Sequence, residues 1–161
     1  MKKIVIKQLP KILFTPKGYQ DLLGQKKQLS EDRPPAVEDL RKARELGDLS
    51  ENGYYKAARA KLSFIDSRLR KLDHLIRQAF VVHPVKKDEI EIGSQVEISD
   101  GQKKYQYCLV GGYESNPLQG TISHRSPLGR ALMGRKEKDV VEVQAPGGVK
   151  KYTILKIGLP S

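Results

Sequence analysis

Residues 53–79, GYYKAARAKLSFIDSRLRKLDHLIRQA, decide the fold. Within them Tyr55, Ala58, Leu62, Ile65, Leu69, Leu72, Ile76 and Ala79 follow one another at steps of three and four without a miss. Side chains at those steps share one stripe of an α-helix, so the run predicts a single long helix with a heptad seam. A helix with one apolar stripe needs a partner to cover it. That partner lies upstream. Thr15-Pro16 combines an N-cap with proline at the first helical position. Tyr19, Leu22, Leu29, Ala36, Leu40 and Ala43 then continue a second seam, with Lys26 and Arg33 as polar members. Pro34-Pro35 interrupts it. Two prolines remove two donors and clash with the preceding turn, so a kink is expected there, with the second half of the helix restarting at the prolines.

Leu46-Gly47-Asp48-Leu49-Ser50-Glu51 separates the two helical stretches. Gly47 suits the residue that ends the first helix. A loop this short makes the helices antiparallel neighbours. At about 1.5 Å per residue, arms of roughly 30 residues reach about 45 Å, with residues 47–51 as the tip. Beyond His83-Pro84 the pattern changes to short strands: Gln95–Ser99, Lys104–Val110, Gly120–Ser123, Asp139–Gln144 and Lys151–Ile157. Ser99-Asp100-Gly101, Gly111-Gly112, Asn116-Pro117 and Pro146-Gly147-Gly148 mark turns between them. One short helix fits Ser126–Gly134, with Ser126 as N-cap and Gly134 as the stop. The expectation is an α+β protein: a helical hairpin over 1–84 and a small α+β domain over 85–161.

The chain carries 30 Lys and Arg against 19 Asp and Glu, a net charge of +11, which points to a polyanionic partner. The excess is uneven: 18 basic against 10 acidic residues over 1–84, and 12 against 9 over 85–161, so the signal sits mainly on the hairpin. Cys108 is the single cysteine, which excludes an internal disulfide and a cysteine zinc cluster; it reads as a small residue buried on a strand. His74, His83 and His124 lack ligand spacing and read as surface or packing residues. No apolar run is long enough to span a membrane, and MKKIVIKQLP has no signal-peptide core, so a reduced intracellular compartment is expected.

Asp48 and Glu51 stand three residues apart at a helix start. Two readings compete. In one, they form a capping box in which each carboxylate accepts from the other's backbone N–H, favoured by the helix dipole. In the other, two carboxylates at the end of a long arm share a Mg²⁺. Such a pair is a poor site alone, because Mg²⁺ keeps its waters and takes one or two carboxylates plus substrate phosphates. It suits a metal site that a partner and its nucleic acid half-supply. Arg41, Arg44, Lys56, Arg59 and Lys61 lie within about three turns of the tip, and Lys56 and Arg59 share a face. They read either as a solvated surface or as a phosphate-contacting patch. Tyr55 belongs to the seam; Tyr54 lies off it, placed to stack on a base.

The stretch Ala43-Arg44-Glu45-Leu46-Gly47-Asp48-Leu49-Ser50-Glu51-Asn52-Gly53-Tyr54-Tyr55-Lys56-Ala57-Ala58-Arg59 resembles the tip pattern of the Gre transcript-cleavage factors of bacterial RNA polymerase. Thr15–Tyr19, Arg33-Pro34, Ser126–Lys136, Asp139–Val141 and Pro146–Gly148 extend the resemblance over about 13–158. It implies an N-terminal antiparallel coiled coil and a C-terminal FKBP-like domain. The FKBP likeness brings no isomerase activity with it. By this resemblance the C-terminal domain docks at the rim of the polymerase secondary channel and the coiled coil enters it. Asp48 and Glu51 then help hold a Mg²⁺ shared with the polymerase, and the polymerase cleaves backtracked RNA near the nascent 3′ end. The chain donates these residues in trans and is no enzyme alone. Ser50 and Asn52 support the tip, and Arg44, Lys56 and Arg59 guide RNA. A monomeric cytoplasmic protein, holding no ion stably by itself, goes with this reading. Gly53-Tyr54 departs from the Ala-Glu or Ala-Asp common in the family, and Met1–Pro10 precedes its usual start. The runner-up is a Gre-like inhibitor that occupies the channel without promoting cleavage. Such relatives carry altered, often more acidic tips, whereas this tip has only the standard pair. Sequence features lean both ways between the GreA and GreB subtypes.

Overall fold

The computed structural model describes residues 11–46, 53–85 and 88–160. In chain order they form β1 (Ile12–Phe14), α1 (Pro16–Glu45), α2 (Gly53–Gln78), β2 (Ala79–Val81), β3 (Gln95–Ser99), β4 (Lys104–Val110), a 3₁₀ turn (Pro117–Gln119), β5 (Thr121–Ser123), α3 (Pro127–Leu132), β6 (Val140–Ala145) and β7 (Gly148–Gly158). Contacts gather them into two compact units: residues 20–78, and the residues before 20 together with 79 onward. The α+β class and the helical hairpin are as expected. Residues 11–19 and 79–84 belong with the sheets because β1 and β2 pair in parallel, Ile12 opposite Ala79 and Phe14 opposite Val81. Ala79, expected as the last member of the helical seam, is a strand residue.

In the hairpin unit the seams close on each other. Leu22, Ala36, Leu40 and Ala43 of α1 and Ala58, Ile65, Leu72 and Leu75 of α2 are buried. Leu40, Ala43 and Ala58 form one cluster, with Tyr55 and Leu62 against it. The polar seam members also find partners. Lys26 Nζ lies 2.7 Å from Asp73 Oδ1, and Arg33 Nε donates to Asp66 Oδ1 at 2.7 Å. Seven residues up α1 correspond to seven residues down α2, as antiparallel helices require. The expected restart at Pro34-Pro35 does not occur: α1 runs unbroken through both. Both rings are exposed, and so are Ser30 and Glu31, the residues whose carbonyls lose their donors, so no buried acceptor is orphaned. Fully buried Ala36 and the Arg33–Asp66 pair hold the helix on either side of them.

In the other unit a five-stranded sheet runs β5-β4-β3-β7-β6, antiparallel except for the β4–β5 pair. Alternate residues such as Val96 and Ile98 of β3 and Val141 and Val143 of β6 point inward. With Ile90, Leu109, Ile122, Ile154, Ile157 and Leu132 of α3 they make the core. Ser126 caps α3, its hydroxyl accepting from Gly129 N at 3.0 Å. Glycine is needed at 129, where a Cβ would lie 2.0 Å from the Ser123 carbonyl oxygen. Strands β3 and β4 are bounded as expected, and β7 starts three residues earlier than expected because Gly148, at φ +112, turns the chain straight into the ladder. Lys138 adopts φ +74, a left-handed conformation that costs a side chain about 1 kcal/mol. Lys138→Gly is therefore expected to raise stability by about 0.5–1 kcal/mol, measured as a rise in Tm.

The β3–β4 turn is organised by Asp100. Its Oδ1 accepts from Lys103 N at 2.7 Å and Gln102 N at 2.9 Å, and its Oδ2 from the Tyr105 hydroxyl at 2.9 Å. These bonds, the Lys103 amide first, hold the carboxyl below the usual aspartate value of 3.8. A depressed folded-state pKa stabilises above the unfolded value, and that contribution is lost as pH falls through the folded one. An NMR titration should place the Asp100 midpoint below 3.8.

The first turn of α1 is held by a residue far along the chain. Thr15 is the N-cap, its hydroxyl accepting from Gly18 N at 3.0 Å. Glu114, in the loop after β4, accepts at Oε1 from Thr15 N at 2.8 Å and from Gly111 N at 2.9 Å, and at Oε2 from the Thr15 hydroxyl.

Candidate nucleic-acid interface on the hairpin

Asp48, Ser50, Glu51 and Asn52 lie outside the described residues, as do Gly47 and Leu49. The structure describes the helix ends that flank them: Glu45 closes α1 and Gly53 opens α2. Lys42 and Arg44 occupy the last turn of α1, where cations complement the helix dipole.

The five basic residues near the tip divide into two kinds. Arg41 is used within its own helix. It donates from Nε and Nη2 to Glu38 at 2.9 and 2.7 Å, and from Nη1 to Glu45. That bond from Arg41 holds the Glu38 carboxyl below its usual range. Lys61 Nζ lies 3.2 Å from Asp39 Oδ2 across the helices. Arg44, Lys56 and Arg59 are exposed and make no ion pair among the described residues. These three are the cations expected to guide RNA. They are free to meet phosphate, whereas Arg41 and Lys61 would first have to leave a carboxylate.

Arg44 and Arg59 line one groove with Leu40, Leu62, Ser63, Asp66 and Arg70. Lys56 is not part of its wall. The Asp66 charge is already matched by Arg33, so the groove presents three arginines and little opposing charge. Arg70 is the member that sequence reasoning did not place there. The signal was present in the spacing of Arg59, Ser63, Asp66 and Arg70, which shares one face of α2. Tyr55 is half-buried against the hairpin cluster, as a seam residue should be, and Tyr54 is 46% exposed.

The remaining candidates are structural. Cys108 is half-buried on β4, and burial pushes its thiol pKa up. His124 Nδ1 lies 3.2 Å from the Val110 carbonyl oxygen. Among the described residues no three or more His, Cys, Asp and Glu side chains gather where they could hold a metal. No described helix is long and apolar enough to cross a membrane.

The described residues make a helical hairpin with a basic end and a unit built on a five-stranded sheet, and comparison with known proteins gives this arrangement its class. Residues 12–81 match the family described as "Transcription elongation factor, N-terminal", and residues 85–158 match "Transcription elongation factor, GreA/GreB, C-term". The chain belongs to the GreA/GreB transcription elongation factor family. It is 42% identical over 155 residues to the transcription elongation factor GreA of Ruegeria pomeroyi, covering 92% of this chain and 98% of that one. It is 39% identical over 148 residues to the GreA of a Nitratiruptor species, covering 89% and 91%. Among solved structures, the GreA factor homolog 1 (Gfh1) protein of Thermus thermophilus is 26% identical and covers 92% of this chain and 99% of that one, with a TM-score of 0.44.

Proposed function

We propose that this chain stimulates a bacterial RNA polymerase to cleave backtracked RNA near its 3′ end, restarting a stalled complex. The observation that supports this best is the set of uncommitted cations Arg44, Lys56 and Arg59 on the two helix ends that flank residues 47–52. On this reading the hairpin enters the polymerase secondary channel, and the three cations contact phosphates of the displaced RNA. Such contacts fix register without reading sequence, as a factor acting at any stalled site requires.

Asp48 and Glu51 are the residues that would hold a Mg²⁺ jointly with the polymerase. Their oxygens are the hard donors Mg²⁺ takes, and the described carboxylate nearest to them in sequence, Glu45, is already bonded to Arg41. The chain thus offers two carboxylates, and the polymerase and RNA must supply the rest. When bound there, the ion would supply an activated water for in-line attack on the RNA phosphodiester. Ser50 and Asn52 support the geometry of the pair. The chain acts as a monomeric cytoplasmic factor and performs no reaction alone.

A photocrosslinker placed at Ser50→Cys, in a Cys108→Ser background so that the label is unique, tests the location. Reaction with the RNA 3′ end in a backtracked complex is the expected result. Labelling confined to the polymerase exterior would overturn the reading.

A further inference from the structure

We infer that the hairpin groove carrying Arg44, Arg59, Ser63 and Arg70 over Leu40 and Leu62 is a binding site for a linear polyphosphate, inorganic or the triphosphate of a nucleotide. All of it lies within the hairpin unit, residues 20–78. Arg70 is exposed and, like Arg44 and Arg59, makes no ion pair among the described residues. The Ser63 hydroxyl makes no hydrogen bond among them either, whereas the Ser30 hydroxyl of α1 donates back to the Lys26 carbonyl at 2.8 Å. Asp66 is the acid in the wall, and its Oδ1 already accepts from Arg33 Nε at 2.7 Å. The groove therefore holds three uncommitted guanidinium groups, one uncommitted hydroxyl and no unmatched acid.

Three features select the ligand. Each guanidinium can bind phosphate through two parallel N–H bonds, which a lysine ammonium cannot do. The cations are also spread along the groove, Arg59 and Arg70 standing about 16 Å apart along the axis of α2. Helical side chains lean toward the N-terminus, so Arg70 leans toward Ser63 and Arg59. A single phosphate can meet only one end, whereas a chain of phosphates can meet Arg44 and Arg59 at one end and Arg70 at the other. Last, no aromatic side chain lines the wall, and single-strand sites join their cations to aromatic platforms that stack bases. The groove, of about 280 Å³, falls below the roughly 300–1,000 Å³ of pockets that enclose a small molecule, so it holds the phosphates and leaves any base in water. A nucleic-acid strand brings one charge per nucleotide, and a polyphosphate brings several over a similar length, the better match for three cations. Arg44 and Arg59 are also the cations proposed to contact RNA. On that reading polyphosphate and RNA exclude each other.

The test is a calorimetric titration of the full-length chain, without polymerase, with sodium tripolyphosphate at fixed ionic strength. One saturable site per chain is expected. Arg70→Ala should weaken binding by about 10-fold or more, as the loss of charge-assisted hydrogen bonds requires. Lys56→Ala removes an equal charge outside the wall, and at physiological salt should stay within about 2-fold of wild type. Arg70→Lys keeps the charge without the fork and should fall between. Arg70 and Lys56 are both exposed, so circular dichroism should be unchanged in all three variants. Equal weakening by Arg70→Ala and Lys56→Ala would mean a diffuse positive field and overturns the inference. Orthophosphate binding as tightly as tripolyphosphate overturns it too, as does a single-stranded RNA oligonucleotide that depends on Arg70 when tripolyphosphate does not bind. ATP identifies the source: affinity within about 3-fold of tripolyphosphate assigns the site to nucleotide triphosphates, and much weaker binding assigns it to inorganic polyphosphate. Both of those results support the site. Since the titration contains no polymerase, a chain that promotes no cleavage would sink the proposed function and leave this result standing.

Discussion

Replacing Asp48 by Asn and Glu51 by Gln together is expected to lower the maximal rate of RNA cleavage by about 100-fold or more while leaving half-saturation for polymerase unchanged. The pair of substitutions is chosen to separate the two readings of these residues. Asn caps a helix about as well as Asp, and Gln serves the capping box about as well as Glu. If Asp48 and Glu51 act only as caps, the double variant keeps its helix and its activity. If they hold Mg²⁺, the neutral side chains lose the charge that makes the bond, and cleavage collapses in a protein whose circular dichroism is unchanged. The surrounding cations leave binding intact, because Arg44, Lys56 and Arg59 are not altered and are not paired to any described carboxylate.

Gly111→Ala is expected to cost about 3 kcal/mol of stability. The added Cβ would lie 2.0 Å from the Leu13 carbonyl oxygen and 3.0 Å from its carbon, with Glu114 Oε1 at 2.5 Å. A flexible side chain can move aside; the Leu13 backbone is held in the β1–β2 ladder and cannot do so without breaking pairing. Gly24→Ala is the matching control. Gly24 lies inside α1 with nothing within 4 Å of its would-be Cβ. There alanine should raise stability by about 0.5–1 kcal/mol through helix propensity. Thermal melts of the two variants should therefore shift in opposite directions. A Gly111→Ala melt at the wild-type temperature would mean that β1 is not seated against the β4–β5 loop as described.

Much of the fold was legible because its signals are local. The unbroken steps from Tyr55 to Ile76 predicted α2, and Ala58, Ile65 and Leu72 of that stripe are buried. The turn at Asp100-Gly101 bounded β3 and β4 to the residue. What escaped depends on partners distant in the chain. Ile12–Phe14 is too short to announce itself as a strand, and its partner Ala79–Val81 begins at a residue that also fits the helical step. Glu114 sits in a stretch that reads as an ordinary turn, and nothing local shows that its carboxylate reaches Thr15. Pro34-Pro35 misled because local propensity argues for a break, whereas seam burial and exposed rings let the helix continue. At the candidate site, the sequence placed five cations near the tip but could not rank them. Asp39–Lys61 needs the register between helices, and only the Glu38, Arg41 and Glu45 spacing was readable from one helix alone.

The most direct measurement adds the wild-type chain and Mg²⁺ to a halted, backtracked bacterial elongation complex carrying 5′-labelled RNA. The labelled RNA is expected to shorten from its 3′ end, and the shortened transcript to resume extension when nucleotides are added. RNA of unchanged length, with slowed extension or none, would contradict the proposed function.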